Sequence, residues 1–425
     1  MHFKFASGLA LAAALISTGF AAAQTPPDGS WRGELRINED PVPFNFEIAG
    51  KGARRTLTLV NGDRHDDYEL TQRPNGEWGA VLGTFSSELV LRPGADSENW
   101  TGSFRNLASN RQAFDLPFTA GHGRTDRFAV STARAPVNVN GAWRIDVVSK
   151  RPAPHQVAEL RQDGDRVTGV LLTVVGDSRR LQGNIVGDEL FLSTFTGPAP
   201  VYLRAKVKPD GTLDGSLSFG AFVTLKFTGA KDDAIALPDP FTVTEIRDSA
   251  TPLDLILPDV TGRQTALSDP RFRGKVVVLQ ILGSWCPNSI DESRFLTDWR
   301  GKNLGRGVEV VSAAFEVASE LDAARPALEA YRRELDVEHT LLYGGGQDKV
   351  AAGAHFPQLS AVNAYPTLLF LDRQGRVRAI HSGFSSPDTG VHYEAFVARF
   401  NATVDALLNE PVSVAQAGVP SGPQG

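Results

Sequence analysis

Two patterns of apolar and polar positions divide this chain. From Gln24 to about Asp239, short runs alternate apolar and polar residues: GELRINE (33–39), RTLTLVN (55–61), SELVLRP (87–93), VYLRAKVKP (201–209). A period of two puts alternate side chains on opposite faces of a strand. Gly, Asp, Asn and Pro separate the runs, and short strands so punctuated predict an all-β sandwich or barrel. After a Pro-containing connector (236–255) the pattern changes. KVVVLQIL (275–282) reads as a buried strand, 288–301 as a helix and VEVVSAAFE (308–316) as a second strand. Apolar residues at helical spacing follow over 319–335, with a Pro that starts or kinks the helix. HTLLYG and TLLFLD predict further strands, RQGR (373–376) a tight turn into VRAIHSG, and 392–408 an amphipathic terminal helix.

The all-β half repeats itself. DGSWRGELRI (28–37) pairs with NGAWRIDVV (140–148), and GTFSSELVLRP (83–93) with STFTGPAPVYLRAKVKP (193–209). WTGSF (100–104) pairs with LDGSL (213–217), and LPFTAGHG (116–123) with LKFTGAKD (225–232). The order is kept at an offset of about 110 residues, so two copies of one β-module are expected, at 24–130 and 136–232. Trp31 and Trp143 become equivalent core anchors, the alternative being an aromatic ligand platform. A linker over 233–250 leads to an α/β domain at 251–409, and the Pro- and Gly-rich residues 410–425 are expected to be disordered.

Residues 1–23 read as a secretory signal, with His2 and Lys4, an apolar stretch too short to span a bilayer, and a cleavage site between Ala23 and Gln24. The expected destination is the periplasm, with no membrane insertion after cleavage. Composition adds little: 41% hydrophobic residues, 22% charged and a net charge of -6 are ordinary for a globular chain. Arginines are scattered, so no nucleic-acid surface is expected. The eight histidines show no metal-ligand spacing, and neither a phosphate loop nor a nucleophile elbow is present, so no metal and no cofactor are expected. The chain has one Cys, Cys286, and one Met, Met1. Once processed, its only sulfur is Cys286, and a single thiol in an oxidising compartment reads as reactive or intermolecular.

Residues 251–409 resemble the thioredoxin fold, in particular the exported TlpA/ResA-like thiol–disulfide oxidoreductases. The segment LPDVTGRQTALSDPRFRGKVVVLQILGSWCP is similar to that family's opening, and Glu292 stands six after Cys286 as in its Trp-Cys-x-x-Cys-x-x-Glu run. AYPTLLFLDRQGRVRAIHSGF is similar to the segment with the family's cis-proline, here Pro366, and its following glycine, here Gly383. One departure is central: Cys286-Pro287-Asn288-Ser289 lacks the second cysteine. The resemblance therefore implies a nucleophile without its resolving partner.

On that reading Cys286 opens a helix, where unpaired N–H groups lower a thiol pKa. Ser289 points its hydroxyl at the sulfur, Pro366 shapes the substrate groove, and Glu292 serves as a nearby proton acceptor or stands as a solvated acid. Trp285, Pro287, Tyr365 and Thr367 line the groove. The expected activity is monothiol exchange with a protein or small-molecule disulfide, resolved by an external or substrate thiol. Two other readings stay open. One is a redox-inactive scaffold that binds partners through its β-modules. The other is a single-cysteine peroxidase, which Leu282 and Gly283, upstream of Cys286, do not favour. The role of the β-modules and the oligomeric state are left unassigned.

Overall fold

A computed structural model describes residues 24–106, 114–128, 137–150, 153–220 and 223–411. The signal segment and all but the first two residues of the tail lie outside that range. The expected plan is present: an all-β half in two barrel-like modules, then a C-terminal α/β domain.

The first module is a closed barrel of eight strands: β1 (Gly29–Ile37), β2 (Asp40–Lys51), β3 (Arg54–Asn61), β4 (Arg64–Gln72), β5 (Trp78–Leu82), β6 (Ser87–Arg92), β7 (Asn99–Asn106) and β8 (Asp115–His122). Each pairs with the next, and β1 closes on β8 from Trp31↔His122 to Leu35↔Phe118. Full closure leaves no exposed strand edge. The alternating residues Trp31, Leu35 and Ile37 of β1 fill the interior, as the period of two requires.

The second module repeats this with β9 (Gly141–Val147), β10 (Gln156–Asp163), β11 (Arg166–Thr173), β12 (Gly176–Asp177), β13 (Leu181–Val186), β14 (Glu189–Phe195), β15 (Pro200–Val207), β16 (Leu213–Phe219) and β17 (Val223–Lys231). Pairings β9–β10, β9–β17 and β10–β11 close the ring. The two-residue β12 pairs only with the end of β11 and stands outside the ring. Trp31 and Trp143 are both buried, and each indole N–H donates to the carbonyl four residues upstream, Pro27 at 3.2 Å and Val139 at 2.8 Å. Both are core plugs; the ligand-platform alternative does not fit their burial.

The barrels are fused through a buried seam. Phe195 of β14 packs 5.0 Å from Phe44 and 5.0 Å from Phe104 of the first barrel. Arg127, between the barrels, is buried and donates to the carbonyls of Val60 and Ser193 and to the side chains of Asn45 and Asn61. Burial, and then the nearby Arg32 charge, pulls its pKa down to about 9.

The C-terminal domain opens with a strand pair, β18 (Ile256–Pro258) and β19 (Gln264–Ala266). Its main elements are β20 (Val276–Leu282), α1 (Pro287–Lys302), β21 (Val308–Glu316), α2 (Leu321–Glu334), β22 (Thr340–Gly346), α3 (Lys349–Gly353), β23 (Thr367–Leu371), β24 (Val377–Ser382) and α4 (Val391–Leu408). The sheet order is β22-β21-β20-β23-β24. β20, β21 and β22 run parallel, while β23 and β24 are antiparallel to their neighbours. That mixed sheet, with the helix after its central strand opened by Cys286, is the thioredoxin plan. Pro326 lies inside α2 rather than starting it, and α3 was not legible in the sequence. The connector is pinned to this domain: Phe241 stacks on Phe370, Arg399 lies 3.9 Å over the Phe241 ring, and Thr244 bonds Ser382.

Candidate thiol site

The central strand β20 is buried at every position, so its C-terminal end delivers the next residues to a fixed place. Ser284 donates its N–H (2.9 Å) and hydroxyl (2.8 Å) to the buried Glu316 carboxylate at the end of β21. Trp285 donates its indole N–H to the Phe315 carbonyl at 3.0 Å and meets Tyr365 edge to face at 5.6 Å. Cys286 is then the N-cap of α1, extended in backbone, with Pro287 at the first helical position where its missing N–H costs nothing. Its sulfur donates to the Tyr365 carbonyl at 3.2 Å, and the Tyr365–Pro366 peptide bond is cis. The Gly383 N–H donates to the Pro366 carbonyl at 2.8 Å, so the end of β24 lies beside that turn.

Cys286, Ser289, Tyr365 and Pro366 thus meet at one place. Two expectations are corrected there. The thiol pKa is not lowered. Burial pushes it above its ordinary value, against the Ser289 N–H and hydroxyl, the Asn288 N–H and the Arg179 charge, which favour the thiolate. Cys286 as a residue is half-buried, packed against the core of the domain. The resting sulfur is a thiol donating to a carbonyl, which is the geometry of the protonated form. The groove is also lined differently. Trp285 and Pro287 are partly exposed, but Thr367 is fully buried with its hydroxyl turned to the Ala364 carbonyl, and Tyr365 is 6% exposed. Tyr365 contributes its backbone, and Thr367 no accessible side chain.

Glu292 is not a solvated acid. It is fully buried, and its partner is the Gln280 amide at 2.9 Å, not the thiol. Burial holds its carboxyl well above the usual range, the Gln280 bond opposing. Its other oxygen has no hydrogen-bond partner among the described residues. Gln280 continues inward, accepting from the hydroxyls of Ser293 (3.2 Å) and Ser312 (3.0 Å). Ser312 bonds His339 Nε2 at 2.8 Å, and Tyr331 donates to Ser293 at 2.7 Å. A buried polar chain therefore lies behind α1.

The residues that the sequence reading missed come from the barrels. Asp291, on the first turns of α1, takes one arginine from each: Arg64 of β4 at 2.8 Å and Arg179, just before β13, at 2.8 Å. Arg179 is 1% exposed and also donates to the Pro287 carbonyl at 2.8 Å. Asp66 of β4 pairs with Arg64 at 2.7 Å and with Arg294 of α1 at 3.0 Å. The β11–β13 connection carries β12 onto the thiol site itself. Asp177 accepts from the Ser386 N–H (2.6 Å) and hydroxyl (2.9 Å). The Asn288 amide, oriented to satisfy both its atoms, accepts from the Asp177 N–H at 2.8 Å and donates to its carbonyl at 3.2 Å. The one available signal was a break in the repeat: the first copy turns at Asn61-Gly62-Asp63, while the second spends residues 174–180 at the same place.

No protein family and no curated protein matches the chain. Its C-terminal part is similar in shape to solved structures. One, from Chlorobium tepidum, carries the designation thiol:disulfide interchange protein (24% identity over 38% of this chain and 98% of that one, TM-score 0.29). Another is a thiol-disulfide oxidoreductase from Bacteroides fragilis (15%, 36% and 98%, TM-score 0.28). A third is a secreted disulfide oxidoreductase of Mycobacterium tuberculosis (16%, 34% and 96%, TM-score 0.26). The fold assignment of the C-terminal domain rests on its own strand order. Among the described residues no helix is long and apolar enough to cross a membrane.

Proposed function

We propose that the chain is an exported, periplasmic monothiol exchanger of the TlpA/ResA-like kind. The observation that carries this reading is the position of Cys286: N-cap of α1, sulfur against the carbonyl that precedes cis Pro366, with Ser289 where a resolving thiol would stand. The thiol loses its proton to solvent and the thiolate attacks a substrate disulfide. A Cys286–S–S bond forms, the substrate S–S bond breaks, and one half leaves as a thiolate that takes up a proton. An external or substrate thiolate then attacks the mixed disulfide and releases Cys286. No net oxidant is consumed, because every step exchanges one S–S bond for another. Ser289 cannot resolve the intermediate; its N–H and hydroxyl stabilise the thiolate once formed. Glu292, buried and bonded to Gln280 rather than to the thiol, is a positioning residue for α1 rather than the base.

The test is disulfide exchange with and without the thiol. Full-length processed protein mixed with a small aromatic disulfide should release one thiol chromophore per chain and become blocked to alkylation. The rate should climb with pH past the ordinary thiol value of about 8.5. Cys286→Ser should release none. Equal release by that variant, or none from the native chain at any pH, would leave the redox-inactive scaffold as the better reading.

A further inference from the structure

The first barrel passes from its third strand to its fourth by a tight turn, with Asn61 paired to Arg64. The second spends residues 174–180 on the same passage, and those residues lie against both walls of the thiol site. One wall is the first turn of α1. Arg179 donates to the Pro287 carbonyl, and the Asn288 amide holds both backbone groups of Asp177. The other wall is the end of β24 beside Pro366. There the Val175 backbone approaches so closely that a Cβ on Gly383 would lie 2.5 Å from the Val175 carbonyl carbon. Against the α1 wall the fit is as close: a Cβ on Gly176 would lie 1.8 Å from the Asn288 amide. Both glycines have positive φ, +82° and +144°. Each contact needs its glycine: Gly383 lies against the Val175 backbone and Gly176 against the Asn288 side chain, and a Cβ would fill either space.

We infer that the 173–178 hairpin of the second barrel is a substrate selector, which leaves Cys286 open to small disulfides and closes it to polypeptide ones. This rests on the thiol-exchange reading above. A cysteine within a polypeptide carries chain on both sides, each residue extending about 3.3 Å. Such a chain must leave the reacting sulfur in two directions. Cys286 lies between α1 and the Tyr365–Pro366–Gly383 edge, and the hairpin contacts both of these walls. A small disulfide has one short arm beyond its sulfur and needs only the exposed part of the half-buried Cys286. The hairpin is anchored as a rigid part: Asp177 on Ser386, Arg179 on the buried Asp291, Arg180 on Asp388 at 3.2 Å. Desolvation of the sulfur, which raises its pKa, fits the same enclosure.

The test compares two probes on three full-length proteins. The probes are 4,4′-dithiodipyridine and a ten-residue peptide carrying a central cysteine as its thiopyridyl disulfide. The proteins are the native chain, a variant with 174–178 replaced by the Asn-Gly-Asp turn of the first barrel, and Gly176→Ala, which disturbs the contact without shortening the loop. Circular dichroism and unfolding transitions check that each variant is folded. The peptide-to-small rate ratio should rise by about tenfold on shortening, equivalent to about 1.4 kcal/mol of barrier, and by less in Gly176→Ala. A native chain that reacts with the peptide as fast as with the small probe overturns the selector, as does a ratio unmoved in both variants; the exchange reading survives either result. If no protein reacts even with the small probe, exchange itself fails and the selector falls with it.

Discussion

The two barrels share a plan and differ in how they grip the helix that carries the thiol. Each is an eight-stranded ring plugged by a tryptophan whose N–H bonds the carbonyl four residues back. Each sends one arginine to Asp291. The first barrel reaches α1 from the face of β4, with Arg64 and Asp66, and touches α2 where Thr84 bonds Glu334. The second reaches over the helix N-terminus with its long connection and contacts both walls of the thiol site. Of two barrels on one plan, one supports the helix and the other sends its longer loop to the site. Fold sameness and site difference are separable here, because barrel closure depends on the alternating strand faces and not on one inter-strand turn.

The largest expected effect tests the sameness. Trp31→Ala and Trp143→Ala each remove a buried indole and its hydrogen bond, at a cost of about 3–5 kcal/mol apiece. Chemical denaturation followed by the intrinsic fluorescence of the remaining tryptophans reads both. A near-neutral result for either one would mean that the copies are not built on the same plug.

The next effect tests the difference. Arg179 and Asp291 are each about 2% exposed at the side chain, and removing one partner of such a pair costs roughly 3 kcal/mol. Arg64 is 16% exposed, so Arg64→Ala should cost less. The sharper readout is the alkylation rate of Cys286 in the folded protein. At a pH where the thiol is ionised in both proteins, Arg179→Ala should raise it, because that side chain ties the hairpin to Pro287 and Asp291; at lower pH the loss of a charge that favours the thiolate works the other way. Arg64→Ala should leave it near the native rate. Equal acceleration by both would assign the effect to α1 as a whole and not to the second barrel's loop.

A smaller effect separates the barrels by the sign of a pH dependence. Burial would raise Asp66, but the guanidinium of Arg64, and then that of Arg294, outweighs it and brings the carboxyl down to about 2. Its stabilisation is present above the ordinary value near 3.8 and is lost as pH falls toward 2. It is worth about 2 kcal/mol by the size of the shift. Asp177 goes the other way. Burial pushes it up to about 6, against the Ser386 and Arg179 N–H groups. The folded state then keeps a proton that the unfolded chain releases, so stability declines from about pH 4 to 6. Subtracting each variant's stability from the native profile isolates the two slopes, since Glu292 cancels in the difference. Asp66→Asn should give a difference that grows from pH 2 to 4. Asp177→Asn should give one that falls from pH 4 to 6. Slopes of the same sign would contradict the assigned environments.

How much of this was legible in the sequence follows the range of each interaction. Strands with a period of two, the helix after Trp285-Cys286 and the repeat all rest on local patterns, and β21 at Val308–Glu316 matches its predicted run end to end. The meeting of Cys286 with Tyr365 and Pro366 was reachable through the resemblance alone, because 79 residues separate the sulfur from its acceptor. The raised thiol pKa was not legible. It depends on burial, and the sequence shows the donors of a helix N-terminus but not what packs over them. Thr367 failed for a related reason: a position next to the cis-proline turn reads as groove, yet β23 is buried on both faces and the Thr367 hydroxyl donates to the Ala364 carbonyl. Arg179 and Asp291 lie 112 residues apart and belong to different modules, so neither composition nor periodicity joins them.

The smallest effect concerns the outer contact of the second barrel, where Glu159 of β10 meets His392 of α4 at 2.8 Å. The hydrogen bond to Glu159 raises the His392 pKa, burial opposes it, and the Glu159 and Asp177 charges add to the rise. A histidine so raised stabilises the folded state fully below its ordinary value near 6.5, and that contribution is lost as pH climbs through the folded value. Both side chains are about 40% exposed, so solvent screening holds the contribution to about 1 kcal/mol or less. His392→Gln should therefore lower the unfolding midpoint slightly at pH 5.5 and leave it unchanged at pH 8.5, the more so at low salt. The first barrel offers the control: its contact with α2 joins the Thr84 hydroxyl and N–H to Glu334 and involves no histidine, so Thr84→Ala should shift the midpoint equally at both pH values. A His392→Gln effect of equal size at both pH values would make that contact packing rather than charge, and the second barrel would then hold α4 much as the first holds α2.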